Sequence, residues 1–241
     1  PDVIDIGAAG TAMRFLTAYL AVTPGRHTLT GTERMRHRPI GVLVDALRRL
    51  GADIDYAGEE GFPPLLVNGR PLQGGPLEIA GNVSSQYISA LLMVGPVLHH
   101  GLTLRLTGDV ISRPYIDMTL WMMGEFGAEA KWTDANTIEV SPRPYVPRPY
   151  YIENDWSSAS YWYEMVALGP RDSEVTLTGL MDGSKQGDSS VRYIFSLLGV
   201  KTEFAEAAGP GCPSTVKLTS NGRCVPRLEY DFINSPDLAQ T

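Results

Sequence analysis

The stretch that decides the fold covers residues 29–56 and reads LTGTERMRHRPIGVLVDALRRLGADIDY. After the opening Leu-Thr-Gly, apolar residues recur at the spacing of one face of a helix. These helical positions are Ile40, Leu43, Val44, Leu47 and Leu50. Gly51 follows them, where glycine commonly ends a helix, and residues 53–56 alternate like a short strand. The stretch therefore predicts a strand, a helix that begins near Pro39, and a second strand.

The same pattern occurs twice more. Leu-Thr-Gly stands again at 106–108 and 177–179, and each copy has another glycine 19 or 20 residues after its own. The second and third helices are predicted to begin near Pro114 and Asp188, with strands after them at 129–132 and 201–204. Copies more than 70 residues apart exceed a solenoid period of about 20–50 residues. We therefore interpret them as duplicated α/β units with right-handed crossovers.

A second motif precedes each copy of Leu-Thr-Gly. In it, a short strand is followed by small polar residues at the start of a helix. It is found at 3–12, 77–86 and 151–159, and a fourth copy begins at 228–237. The complete unit is thus βαβαββ. The proline-rich residues 141–151 predict an extended linker. We expect residues 1–150 to form two units of a first domain, residues 151–241 to form one unit and the start of the next unit of a second domain, and the chain to be part of a longer protein.

Composition and charge exclude several classes of protein. The net charge of −7 argues against charge-driven nucleic-acid binding, and no apolar run approaches the ~20 residues that span a membrane. The two cysteines give no disulfide framework and no metal-ligand cluster, which favours a reducing cytoplasm. Residues 1–50 nevertheless hold seven arginines against four acidic residues. This local positive charge favours a small anionic ligand.

The openings of the predicted helices are the candidate binding sites, because helix N-termini expose unpaired N–H groups. Gly10 lies at the first opening and Ser84-Ser85-Gln86 at another, although serine also serves simply as a helix cap. In an extended loop, Arg34, Arg36 and Arg38 would point to one side and bind an anion. The sequence contains no zinc spacing, nucleophile elbow or Walker loop.

Six motifs, in order along the whole chain, resemble those of the 5-enolpyruvylshikimate-3-phosphate synthase family. They are AGTAMR at 9–14, RMRHRPI at 34–40, VSSQY at 83–87, GDVISRPYID at 108–117, SSASY at 157–161 and QGD at 186–188.

The resemblance implies the enolpyruvyl transferase fold, an inside-out α/β barrel of repeated βαβαββ units, incomplete in this chain. It also implies a 3-phosphoshikimate 1-carboxyvinyltransferase. Such an enzyme moves the enolpyruvyl group of phosphoenolpyruvate to the 5-hydroxyl of shikimate 3-phosphate, in the shikimate pathway to chorismate and the aromatic amino acids. The family implies no cofactor, no metal and a monomeric protein, with the two substrates as its partners.

The resemblance also implies roles for individual residues. Those implied to bind shikimate 3-phosphate are Ser84, Ser85, Gln86, Ser112, Tyr115 and Asp237. Those implied to bind phosphoenolpyruvate are Gly10, Arg38 and Gln86. Asp237 is also the implied catalytic base. Ala8 departs from the family, which usually has Asn there.

Several family segments do not occur in this sequence, among them an N-terminal Lys-Ser segment, a Lys-Glu-x-Asp-Arg helix and C-terminal Arg and Lys residues. We therefore expect the 241-residue chain to bind weakly and to turn over negligibly by itself. One alternative is the related enolpyruvyl transferase of UDP-N-acetylglucosamine, although neither Cys212 nor Cys224 lies near the reactive-cysteine motif of that family. The other alternative is a non-catalytic anion-binding module.

Overall fold

The computed structural model describes residues 2–207, 209 and 212–241. The chain divides into two compact units, Pro1–Pro147 and Arg148–Thr241. Among the described helices, none has the length and apolar character needed to cross a membrane.

The first unit begins with one complete repeat. Its elements are β1 (Asp2–Asp5), α1 (Gly10–Val22), β2 (Gly25–Thr30), the short α2 (Glu33–Arg36), α3 (Gly41–Arg49), β3 (Asp53–Tyr56) and β4 (Leu65–Gly69). The sheet has the order β1-β2-β4-β3, in which β1 and β2 are parallel and the other pairs antiparallel.

A second repeat with the same topology completes this unit. Its elements are β5 (Gly75–Ala80), α4 (Ser85–Val94), β6 (Leu102–Thr107), α5 (Arg113–Glu125), β7 (Ala130–Trp132) and β8 (Thr137–Val140). The sheet order is β5-β6-β8-β7, again with one parallel pair followed by antiparallel pairs. The predicted α/β class with repeated βαβαββ units is confirmed.

One hydrophobic core lies between the sheets and helices of the first unit. In β6, Leu102, Leu104 and Leu106 are buried while the residues between them are exposed, as expected for a strand with one face on the core. The helical positions Leu43 and Leu47 of α3 are also fully buried. The repeated apolar pattern therefore marks the faces that hold the two repeats together.

The second unit contains α6 (Trp156–Leu168), β9 (Glu174–Leu180), α7 (Val191–Leu197), β10 (Val200–Phe204) and β11 (Ser214–Ser220). Its sheet is antiparallel with the order β10-β11-β9. The core is built around Trp156 and Tyr163, both fully buried, and the Tyr163 hydroxyl hydrogen-bonds with that of Thr202 at 3.0 Å.

The prediction of strands near 151–153 and 228–231 is wrong, since neither segment forms a strand. The first is held at the end of β9 chiefly by side chains. Asn154 donates from its backbone N–H to Gly179 O at 2.7 Å and from Nδ2 to Thr178 O at 2.9 Å. Glu153 accepts from the N–H of Met181 at 2.7 Å. These contacts replace the parallel ladder that joins β1 to β2 in the first repeat.

The proline-rich segment, residues 141–151, forms neither a helix nor a strand, and its first part is no free linker. The Tyr145 hydroxyl donates to Met93 O at 2.9 Å, and the Val146 N–H donates to Phe126 O at 2.7 Å. Burial raises the pKa of Tyr145 to about 12. An aromatic side chain among the prolines therefore packs on the rest of the first unit.

Candidate functional site

The loops that open the helices lie side by side at one edge of each parallel strand pair. The Thr32 N–H donates to Gly7 O at 3.0 Å, and in the second repeat the Ile111 N–H donates to Gly81 O at 3.3 Å. Gly31 permits this approach, because a methyl group there would lie 2.5 Å from Gly7 O. The carboxyl ends of parallel strands meet at one edge of a sheet, so the topology gathers these predicted residues.

Gln86, in the first turn of α4, joins the helix opening of the second repeat to that of the first. Arg14 of α1 donates from Nη1 to Gln86 Oε1 at 2.5 Å. Gln86 donates from Nε2 to Thr11 Oγ1 at 3.1 Å. The N-termini of α1 and α4 therefore meet, although more than 70 residues separate them in sequence. No role for Thr11 was predicted from the sequence, and its place in the AGTAMR motif was the only signal.

Arg38 lies directly against the N-terminus of α1. A methyl group at Gly10 would overlap with the Arg38 guanidinium, so the close approach requires glycine. The loop that carries Arg38 is fixed by Tyr87, whose hydroxyl donates to Pro39 O at 2.7 Å. Tyr87 follows Gln86 in the chain, and its role was also missed from the sequence.

The arrangement expected for the three loop arginines is wrong, because residues 33–36 form the helical turn α2 instead of an extended loop. Thr32 caps this turn, accepting from the N–H of Met35 at 3.4 Å. Arg34 and Arg38 both line an open pocket of about 380 Å³, whereas Arg36 does not. The remaining lining residues are Ala8, Thr32 and Met35.

Both pocket arginines keep their hydrogen-bonding capacity. Within the described part of the chain, neither Arg34 nor Arg38 has a side-chain hydrogen bond or ion pair. An unpaired guanidinium pair beside a helix N-terminus has the chemistry to bind a carboxylate or phosphate.

The serines and the tyrosine of the second repeat open α4 and α5. Ser84 caps α4, accepting from the N–H of Gln86 at 3.4 Å, and Ser85 is the first helical residue. Ser112 precedes α5 with a φ of 53° and no side-chain capping bond. Tyr115 lies half-buried in the first turn of that helix. These residues, with Gly10, Arg38 and Gln86, all belong to the first unit.

Asp237 belongs to the second unit. It lies in a 3₁₀ turn, Pro236–Gln240, with its side chain exposed, between the buried Ser235 and Leu238. The turn holds the carboxylate on the surface of its own unit.

In the third repeat, carboxylates of the chain itself bind the N-terminus of the helix α6. Asp155, not the serines, caps α6: it accepts from the N–H groups of Ser157 and Ser158 at 3.0 and 3.2 Å. Burial raises the pKa of Asp155, but hydrogen bonds from Ser158 and Ser157 outweigh it and hold the pKa below its ordinary value. Ser157 also donates to the buried Asp188 at 2.6 Å. An anion would meet negative charge here, whereas Arg34 and Arg38 lie beside the helix opening of the first repeat.

Comparisons with known proteins show which family this chain resembles. The sequence model described as EPSP synthase (3-phosphoshikimate 1-carboxyvinyltransferase) matches residues 1–210. A 3-phosphoshikimate 1-carboxyvinyltransferase of Bacteroides fragilis (strain ATCC 25285) is 58% identical over 240 residues, which cover 100% of this chain and 57% of the relative. One of Shewanella halifaxensis is 42% identical over 208 residues, 86% of this chain and 48% of the relative. The chain thus spans about half the length of the curated relatives it matches.

Solved structures show the same fold. An EPSP synthase from Acinetobacter baumannii matches with a TM-score of 0.75 at 22% identity. The match covers 99% of this chain and 53% of that protein.

Proposed function

The chain belongs to the EPSP synthase family, and from this premise we propose that it forms part of a 3-phosphoshikimate 1-carboxyvinyltransferase. The whole protein would transfer the carboxyvinyl group of phosphoenolpyruvate to the 5-hydroxyl of shikimate 3-phosphate. The products are 5-enolpyruvylshikimate 3-phosphate and inorganic phosphate.

The observation that carries this proposal is the meeting of the α1 and α4 N-termini beside Arg38. Both substrates are anions, and Arg38 lies over Gly10 with no protein partner among the described residues. Gln86 adds an amide from the second repeat at the same place. Positive helix ends, a guanidinium and a neutral amide together match a phosphate or carboxylate next to a hydroxyl-bearing ring.

We assign the site residues accordingly. The residues assigned to shikimate 3-phosphate are Ser84, Ser85, Gln86, Ser112, Tyr115 and Asp237. The residues assigned to phosphoenolpyruvate are Gly10, Arg38 and Gln86.

Asp237 is assigned as the base that accepts the proton of the 5-hydroxyl. The hydroxyl oxygen then bonds to C2 of phosphoenolpyruvate, whose C3 takes up a proton. Loss of a C3 proton and of phosphate from the resulting tetrahedral intermediate restores the double bond. A carboxylate within hydrogen-bond reach of a hydroxyl suits this proton transfer. The reaction needs no metal or organic cofactor, and we propose a monomeric protein that works in the cytoplasm.

Binding by the chain itself tests the proposal. Nuclear magnetic resonance titrations follow weak binding of shikimate 3-phosphate, of phosphoenolpyruvate with shikimate 3-phosphate present, and of UDP-N-acetylglucosamine. We expect the first two to bind and the Arg38→Gln variant to lose about tenfold or more in affinity for phosphoenolpyruvate, because it loses a charge-assisted contact. Arg36→Gln is the matched control, since Arg36 lies outside the pocket lining.

Other outcomes separate the alternatives. Binding of UDP-N-acetylglucosamine instead of shikimate 3-phosphate would identify the related sugar-nucleotide enzyme. If none of the three compounds shifts any resonance, the result favours a non-catalytic module, and the proposal that this part of the protein carries the substrate site fails.

A further inference from the structure

We propose that Thr11 and Arg14 are positioning residues that fix the orientation of the Gln86 side-chain amide. They leave one N–H and one oxygen lone pair of this amide available, so that a single residue serves two different substrates. The substrates named here rest on the proposed function, whereas the orientation of the amide does not.

The orientation follows from the chemistry of Arg14. A guanidinium has five N–H donors and no acceptor, so only the amide oxygen of Gln86 can face it. That contact is short, 2.5 Å from Nη1 to Oε1. The amide nitrogen then faces Thr11, whose hydroxyl oxygen accepts at 3.1 Å. A flipped amide would set N–H groups against N–H groups at Arg14, so the two contacts together select one orientation.

Counting donors and acceptors gives the functional consequence. A glutamine amide has two N–H groups and two lone pairs on its oxygen. Thr11 uses one N–H and Arg14 uses one lone pair. The remaining N–H can donate to an oxygen of phosphoenolpyruvate, and the remaining lone pair can accept from a hydroxyl of shikimate 3-phosphate. A freely rotating amide could present these groups only after losing side-chain entropy on binding.

Arg14 is itself held in place. Its guanidinium carbon lies 5.2 Å from the centroid of the Tyr87 ring, within the range of a cation–π contact. Tyr87 is buried, and its hydroxyl donates to Pro39 O in the loop that carries Arg38. The layer beneath the site therefore supports both Gln86 and Arg38, the two side chains assigned to phosphoenolpyruvate.

Thr11 and Arg14 could also serve only to hold α1 against α4. The experiment separates that structural role from the orientation of the Gln86 amide. The ¹⁵N-labelled chain gives a pair of side-chain amide resonances for Gln86, assigned by their absence from Gln86→Met. We expect this pair to be shifted from free-glutamine values and slow to exchange with solvent. Arg14→Met and Thr11→Val should release the amide, while Arg14→Lys and Thr11→Ser, which keep a donor and an acceptor, should retain much of the protection.

Affinity is the second readout. Arg14→Met and Thr11→Val should each lower the affinity for shikimate 3-phosphate and for phosphoenolpyruvate about tenfold, since each loses a contact that presents Gln86. Thr11→Ser should restore both to within about threefold of the original chain. Thermal unfolding confirms that each variant is folded, and the exposed position of Thr11 keeps its variants informative if Arg14→Met unfolds.

Three results would overturn the inference. One is a Gln86 amide pair at free-glutamine values in the unsubstituted chain. Another is unchanged affinity for both substrates in a folded variant whose amide has been released. The third is an equal loss in Thr11→Ser and Thr11→Val. If the unsubstituted chain binds neither substrate, the proposed function fails, and the amide resonances alone decide whether Thr11 and Arg14 fix Gln86.

Discussion

Ser112 adopts a left-handed backbone conformation, φ 53° and ψ 34°, at the opening of α5. A non-glycine residue pays roughly 1 kcal/mol or more for such a conformation. The side chain makes no capping bond that would offset this strain locally. The strain therefore fits a residue kept for its hydroxyl group, as its proposed contact with shikimate 3-phosphate requires.

Two substitutions at this position separate strain from binding. Ser112→Gly should raise the free energy of unfolding by roughly 0.5–1 kcal/mol, because glycine adopts positive φ freely. Ser112→Ala should keep the strain. Both should weaken shikimate 3-phosphate binding to a similar degree, since both lose the hydroxyl. Chemical denaturation and ligand titration give the two quantities, and full retention of binding in either variant would remove Ser112 from the site.

The contact between Gly10 and Arg38 gives a second residue-scale prediction. Gly10→Ala should displace the Arg38 guanidinium, because the added methyl group overlaps with it. We expect the affinity for phosphoenolpyruvate to fall about tenfold, the loss of a charge-assisted contact, with shikimate 3-phosphate binding little changed. Gly124→Ala in α5 is the matched control, since its methyl group would meet open space. Equal titration curves for Gly10→Ala and the original chain would contradict the prediction.

Residue-scale prediction from the sequence succeeded where local chemistry decides and failed where a turn intervenes. The serines and Gln86 were expected at helix openings, and Ser84 and Ser85 do open α4. Arg36 was expected beside Arg34, but the Thr32 cap winds the loop into a helical turn and directs it elsewhere. Thr11 was missed because its partner lies 75 residues away, a distance that no local pattern encodes.

At the scale of elements, the apolar period was a reliable guide. The stretch from Gly41 to Arg49 is helical with Leu43, Val44 and Leu47 buried, and Asp53–Tyr56 is a strand as expected. The strand expected at 151–153 did not form, because the Glu153 carboxylate draws the chain into side-chain contacts. It accepts from Trp156 Nε1 at 2.7 Å and from the Ser184 hydroxyl at 2.6 Å. The apolar period predicts burial well, but it does not show where side-chain hydrogen bonds compete with strand pairing.

The attachment of the proline-rich segment has a pH dependence. Burial raises the pKa of Tyr145 to about 12, above the ordinary value of 10.0 for tyrosine. Below pH 10 both the folded and unfolded states hold the proton, and the stabilisation is complete. Between about pH 10 and 12 the unfolded chain loses the proton first. The free energy of unfolding should therefore fall there, by at most about 1.4 kcal/mol per pH unit.

Comparison with Tyr145→Phe isolates this contribution. The variant loses the bond to Met93 O at all pH values, yet its stability should fall less steeply than that of the original chain above pH 10. Tyr19→Phe is the control, because Tyr19 is 57% exposed in the same unit. Parallel stability curves for the original chain and Tyr145→Phe between pH 9 and 12 would show that this hydroxyl does not titrate differently on folding.

For the whole molecule, the two hydrophobic cores are the main determinant of stability. One contains Ile88 and the other Leu218, and both side chains are fully buried. Each core lies within a single unit, Pro1–Pro147 or Arg148–Thr241. Cooperative unfolding follows the packing of a common core, so we expect the two units to unfold in separate transitions.

Truncation in each core tests this expectation. Ile88→Ala and Leu218→Ala should each cost about 2–5 kcal/mol, the usual range for a large aliphatic side chain replaced by alanine in a core. In scanning calorimetry each should lower the midpoint of one transition and leave the other in place. Leu168→Ala, at a side chain that is 80% exposed, should move neither. A single transition that both core variants lower equally would mean that the chain unfolds as one cooperative body, and stability changes at Tyr145 would then extend to both units.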